Sequence, residues 1–362
     1  MASAPEAMAA AGGDEAPPGP VPQRIDVLVR RLFFLVPLGI AGNVIFTLAT
    51  TDQGVLASVV RLSPGHVITA MIFAVVPWFT DAARMSVWSA FLGRRVPYGE
   101  LLKIVVAAEL GAAILPPAVG GTPVKAALLV RKGFSGGAAL SLTLLSGLED
   151  WVFFLIMVPA AITLSSAWNI PVVRDALDAA GAHGPWIAAG TGLVIVLFLA
   201  WRRNQRSASG YGSSEISWFE RFRERAQHAW REFAGVYRLI AERGKSRFLI
   251  TMALTAVQWT CRYSIVTLLV IGLGVPARPM LFFALQVIVF GLAVFVPTPG
   301  AVGGAEALFY ALYRPFVTNE ALGLVTAGWR FLTFYFLLLV GIFVFYASGM
   351  NGRKTGGRGA SR

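Results

Sequence analysis

Apolar residues fill this chain in runs longer than a buried core helix needs, separated by short clusters of Gly, Pro, Lys and Arg. Residues 32–50 and 186–201 carry no charged side chain, and 279–305 is a charge-free run of 27 residues. About 20 apolar residues cross the ~30 Å of bilayer hydrocarbon as a helix. The pattern therefore predicts full spans at about 27–50, 65–90, 136–164, 186–201, 247–274 and 320–347. Two shorter pairs lie between them, 100–117 with 123–132 and 279–297 with 303–317. The second member of each is too short to cross, so each pair reads as a re-entrant hairpin of two half-helices. The expected fold class is all-α: a polytopic integral membrane protein with about six spans and two re-entrant hairpins.

Both hairpins break at the same four letters, AVGG, at 118–121 and again at 301–304. In the first unit a span leads into a hairpin and a second span; the second unit repeats that order. Counting Lys and Arg outside the spans, with the N-terminus inside, gives 23 on the cytoplasmic side and four outside: Arg61, Arg174, Arg278 and Arg314. That asymmetry sets both termini in the cytoplasm. It also makes the two units run in opposite directions, the inverted repeat from which many transporters are built. The expected divisions are a disordered tail at 1–23, a first membrane unit at 24–201, a basic linker at 202–246, a second membrane unit at 247–349 and a basic tail at 350–362. In the linker, Phe219, Phe222, Ala226, Trp230, Phe233, Tyr237 and Ile240 share one helical face, which reads as lying on the membrane or on the bundle.

Composition agrees, with 56% hydrophobic and 14% charged residues and a mean hydropathy of +0.66. The net charge of +12 is explained by the cytoplasmic flanks, so no nucleic-acid partner is expected. One cysteine, Cys261, and three scattered histidines give no disulfide and no metal-ligand spacing, and no nucleotide-binding motif occurs. No cofactor is expected. The Ala/Pro/Gly-rich start lacks the basic and apolar regions of a signal peptide.

Nine charged residues fall inside apolar spans or half-helices: Asp81, Arg84, Glu109, Lys125, Glu149, Asp150, Arg262, Glu306 and Arg330. Such charges are costly and need partners or a function. Asp81 and Arg84, three apart on one helix, read as a structural ion pair, and Glu109 as a further packing charge. The others are candidates for a transport site at the breaks. Gly120 and Gly121 precede Thr122, a suitable N-cap, with Pro123 next and Lys125 in the first turn, an arrangement that favours an anion such as phosphate. In the second unit Pro299, Gly300, Gly303 and Gly304 make the break, and Glu306 follows in the first turn, placed to hold a proton or pair with Arg330. Glu306 and Arg330 are expected to meet each other, or an opposite charge such as Glu149 or Asp150. Arg262, Glu149 and Asp150 complete the set. No Ser-His, Cys-His or metal constellation appears, so an enzyme is not expected.

The stretch "PTPGAVGGAE" resembles the Pro-x-Pro-Gly-Gly-x-Gly-x-x-Glu segment of the lysylphosphatidylglycerol synthase transmembrane family. "WRFLTFYFLLLVG" is similar to the Arg-x-x-Thr/Ser…Gly span of that family, with Arg330, Thr333 and Gly341 in register. "GGTPVKAALLVRKGFS" resembles its Gly-Gly-x-x-x-Arg-x-x-Leu-Leu-x-Arg segment, with Lys125 replacing the first arginine. The family's usual Glu-Arg pair before the next aspartate is replaced by Ser146 and Gly147; Asp150 matches the aspartate, and Glu149 takes over the acidic role. The resemblance implies a lipid flippase of the bacterial inner membrane, in a stand-alone form without the aminoacyl-transferase domain, with membrane lipids as partners. The alternatives are an enzyme acting on lipid head groups and a non-transporting partner, or homo-oligomer, in an envelope-lipid pathway for glycolipids or hopanoids.

Overall fold

The computed structural model describes residues 63–114, 121–165, 167–169, 242–296 and 298–347, with isolated positions between 171 and 240. All regular structure among them is helical. Helix α1 is Pro64–Phe91, α2 Tyr98–Ile114, α3 Thr122–Arg131, α4 Gly136–Ser165, α5 Lys245–Gly272, α6 Pro279–Ala293 and α7 Gly304–Tyr313. Helix α8, Asn319–Arg330, continues through a π-helical turn at Phe331–Tyr335 into α9, Phe336–Ala347. Among the described residues, four stretches are long and apolar enough to cross a membrane: Pro64–Phe91, Gly136–Ser165, Lys245–Gly272 and Ala321–Val344. These match four of the expected spans; 27–50 and 186–201 lie outside the described residues. At 1.5 Å per residue, α3 and α7 are only about 15 Å long, half the hydrocarbon thickness.

The described helices form two units of one order: a long helix (α1 or α5), two short ones (α2–α3 or α6–α7), then a long one (α4 or α8–α9). The long leading helices, α1 and α5, make the most extensive helix pair among the described residues. Around that pair the units are exchanged: α2 packs on α9, the last helix of the other unit, and α6 packs on α4. Each hairpin is thus clasped between its own unit and the end of the other.

The outer faces are apolar. On α4, Leu140, Leu144, Leu148, Trp151 and Leu155 form an exposed stripe at spacings of three and four, the last two each 77% exposed, while Ala138, Ala139, Leu142 and Leu145 turn inward. An exposed apolar stripe of this length is expected of a helix facing lipid. A chain of hydrogen bonds satisfies the polar groups between α6, α7 and α8. Trp329 Nε1 donates to Gln286 Oε1 at 2.9 Å, and Gln286 Nε2 donates to the Tyr313 hydroxyl at 2.9 Å. That hydroxyl in turn donates to the Phe282 carbonyl at 2.8 Å. These bonds lock α6, α7 and α8 together beneath the stacked rings of Phe309, Tyr313 and Trp329.

Two ties fix the first hairpin. Gly121 sits so close to α2 that a β-carbon there would lie 2.4 Å from the Ala108 carbonyl oxygen. At the end away from the break, Glu100 accepts from Lys103 at 2.7 Å and Lys132 at 2.6 Å, and these bonds hold its carboxyl down at about 2. A depressed carboxylate keeps this tie above the ordinary glutamate range and loses it as pH falls through about 2. In the linker, Ile240 is buried and Tyr237 half-buried against the core around α1, so this end of the linker packs on the bundle. Phe219, Phe222, Ala226, Trp230 and Phe233 lie outside the described residues.

Gly121→Ala is expected to lower stability by about 1–3 kcal/mol through overpacking against α2. Gly291→Ala, in α6 with no atom within 4 Å of the added carbon, is expected to be neutral or to stabilise by up to about 1 kcal/mol. Thermal unfolding in detergent, followed by size-exclusion chromatography, separates them; equal effects would contradict the close α2–α3 approach.

Candidate functional site

The nine embedded charges sort by partner. Arg84 of α1 is fully buried and bonded through all of its guanidinium nitrogens. Its Nε donates to Glu149 Oε2 at 2.8 Å, one terminal nitrogen to Asp150 Oδ1 at 3.0 Å and Gln258 Oε1 at 3.1 Å, and the other to the Ser146 carbonyl. Glu149, also fully buried, accepts on its second oxygen from Trp88 Nε1 at 2.7 Å and from the Thr251 hydroxyl. Asp150 Oδ1 also accepts from Trp259 Nε1 at 2.9 Å. This network joins α1, α4 and α5.

Asp81 does not pair with Arg84, contrary to expectation. The planar five-donor fork of Arg84 finds two carboxylates and an amide on α4 and α5, and Asp81 instead takes Lys125 of α3 at 2.6 Å. Lys125, expected to wait at a helix N-terminus for an anion, is therefore already neutralised. Thr122 does not cap that helix: Gly121 holds the N-cap position, and Thr122 is the exposed first helical residue with no side-chain capping bond. Gly120 lies outside the described residues.

At the second break, Pro299–Ala301 forms a single 3-10 turn ahead of α7. Gly300 has φ +59°, and a β-carbon there would meet the Phe334 ring at 2.3 Å. Only glycine serves both constraints. The Gly300 carbonyl accepts from Arg330. Glu306, in the first turn of α7, accepts from the Gly303 N–H at 2.8 Å with one oxygen. Its other oxygen lies 2.8 Å from Arg330 Nε. That Nε–H points off the oxygen axis and makes no hydrogen bond, so the contact is an ion pair. Arg330 also stacks over Phe334, with Cζ 4.3 Å from the ring centroid. Gly304, where α7 begins, rests against Val296. Arg330 thus staples the break to α8, which answers the expectation that it would meet Glu306.

Seven of the nine charges are accounted for. The remaining two are Arg262 on α5 and Glu109 on α2, and neither has an opposite charge within 4.0 Å among the described residues. Both line one cavity of about 240 Å³ between the two units. Its wall is completed by Trp78 of α1, Val289 and Phe290 of α6, Gly300 and Ala301 of the break, and Arg330, Thr333 and Phe334 around the π turn. A π turn shifts the register of the helix that contains it, and such turns recur at functional sites. Arg262 lies over the rings of Phe290 and Trp259, at 5.5 and 5.8 Å from their centroids.

Two cavity residues escape a reading of the sequence. Glu109 reads as a packing charge because a lone glutamate in an apolar run carries no sign of where it points. Trp78 is buried, with an indole N–H that has no acceptor among the described residues. Gln258 and Gln286, amides within apolar helices, are the signal that could have pointed to the polar networks they join.

Residues 27–341 match the family model described as the lysylphosphatidylglycerol synthase TM region. The chain is similar to a UPF0104 membrane protein of Archaeoglobus fulgidus, 24% identical over 283 residues, which is 74% of this chain and 82% of the relative. The chain belongs to the lysylphosphatidylglycerol synthase transmembrane family.

Glu149→Gln is expected to destabilise by about 3–5 kcal/mol by leaving Arg84 short of a charge in a dry interior. Asp150→Asn should cost less, because the Asp150 side chain is 25% exposed where that of Glu149 is 0%. Melting of the two variants in detergent would show the order; a larger loss for Asp150→Asn would contradict it.

Proposed function

We propose that this member of the family is a flippase that moves a polar-headed phospholipid across the membrane without covalent chemistry. The head group passes through the cavity between the two units, and the acyl chains follow the apolar outer surfaces. The observation that carries the reading is the cavity's position. It lies where α2 and α5 meet the broken α6–α7 hairpin, and its wall includes irregular backbone at Gly300 and Ala301. Backbone of that kind is tolerated at membrane depth only where protein or a hydrated path encloses it. Substrate sites in transporters are typically built from such discontinuous helices.

The reciprocal packing of α2 on α9 and α6 on α4 supports the inverted-repeat reading, in which one hairpin enters from each side. On that reading the path opens alternately, as one unit rocks against the other about the α1–α5 pair. The basic flanks support an orientation in the bacterial inner membrane with both termini and the linker on the cytoplasmic side.

Purified protein reconstituted into vesicles with head-labelled fluorescent phospholipid tests this. Protein should expose inner-leaflet label to an impermeant quencher much faster than protein-free vesicles do. Ala112→Phe, which places a ring in the cavity wall, should slow this about tenfold, a change equivalent to about 1.4 kcal/mol in barrier, with an unaltered elution profile. Quenching no faster than in empty vesicles would overturn the reading.

A further inference from the structure

The geometry points to a head-group site built from Arg262, Glu109 and Trp78 that selects zwitterionic phospholipid heads, those with a phosphodiester and an ammonium. This rests on the flippase reading for its biological use, but not for its chemistry. Three observations converge on it. Among the nine embedded charges only Arg262 and Glu109 lack an opposite partner among the described residues, and both line the same cavity. They are opposite in sign yet do not meet within 4.0 Å. The wall also holds Trp78, whose buried N–H has no acceptor among the described residues.

An unpaired cation and an unpaired anion within apolar helices are each disfavoured alone. A purely anionic head would satisfy Arg262 and face the Glu109 carboxylate; a purely cationic one would do the reverse. A head with both charges satisfies both residues at once. The phosphate takes the guanidinium of Arg262, as a charge-assisted bond, and the indole N–H of Trp78. The ammonium takes Glu109. The cations elsewhere do not compete: Lys125 is held by Asp81, Arg84 by Glu149 and Asp150, and Arg330 by Glu306. At about 240 Å³ the cavity is smaller than the 300–1,000 Å³ of pockets for whole drug-sized ligands. It suits a head group whose acyl chains stay outside.

The test measures calorimetric binding of three soluble probes to the full chain in non-ionic detergent: glycerophosphoethanolamine, glycerol 3-phosphate and ethanolamine. The zwitterion should bind at least about tenfold more tightly than either single-charge probe. Glu109→Gln should erase its advantage over glycerol 3-phosphate, and Arg262→Gln its advantage over ethanolamine. Trp78→Phe should weaken the two phosphate probes and leave ethanolamine unchanged. Mixed micelles of phosphatidylethanolamine should displace the zwitterion where phosphatidylglycerol micelles do not; displacement by neither would overturn the lipid assignment. The double change Glu109→Gln with Arg262→Gln removes both unpaired charges, so it should fold at least as well as wild type and lose all selectivity. Equal binding of the three probes by wild type, or unchanged selectivity in folded variants, would overturn the site. Selective binding without translocation in vesicles would overturn the flippase reading and leave the site standing. Translocation with no selectivity would overturn the site alone.

Discussion

The burial of Arg84 is the constraint on which the rest of the structure depends. A guanidinium at 0% exposure within apolar helices must find partners for its charge and its five N–H groups. It finds them on α4 and α5, so the first unit cannot fold around α1 without recruiting the lead helix of the second. The extensive α1–α5 contact follows, and with it the placement of each hairpin against the other unit. The Asp81–Lys125 and Glu306–Arg330 pairs then do locally what Arg84 does globally, tying each short helix after a break to a long helix. Removing any one partner leaves the other uncompensated in low dielectric, which is why the cost of breaking a buried pair far exceeds that of a surface pair.

Pairing also separates scaffold from site. Seven embedded charges are committed to one another, and two are left facing the same cavity. A path for a lipid head needs a polar interior that is not already satisfied by the protein, and the cavity wall of Arg262, Glu109 and Trp78 has that property. Arg330 lies on the same wall but is occupied by Glu306, the Gly300 carbonyl and the Phe334 ring. Those contacts tie the broken backbone to α8.

Much of the architecture was legible in the sequence because bilayer thickness is a strict ruler. Runs such as 65–90 and 247–274 are long enough to cross, and the stretches after AVGG are too short, so spans and hairpins separate on length alone. The Glu306–Arg330 contact was also foreseeable, since two opposite charges in one otherwise apolar unit have few alternatives. Local spacing misled in the first unit. Asp81 and Arg84 share a helix face, but tertiary partners outcompete a neighbour three residues away, and the identity of those partners depends on how α3, α4 and α5 pack. For the same reason Lys125 read as a free cation. Glu109 and Trp78 were hidden because a residue's lack of a partner is a property of the folded arrangement.

A lipid head group seated in the cavity between the two units should be visible there directly. A cryo-electron microscopy reconstruction of the protein in nanodiscs containing phosphatidylethanolamine addresses it most directly. Head-group density is expected between Arg262 and Glu109, with the phosphate within hydrogen-bond reach of the guanidinium and the acyl chains running outward. An empty or collapsed cavity in which Arg262 and Glu109 bond directly to each other would contradict it.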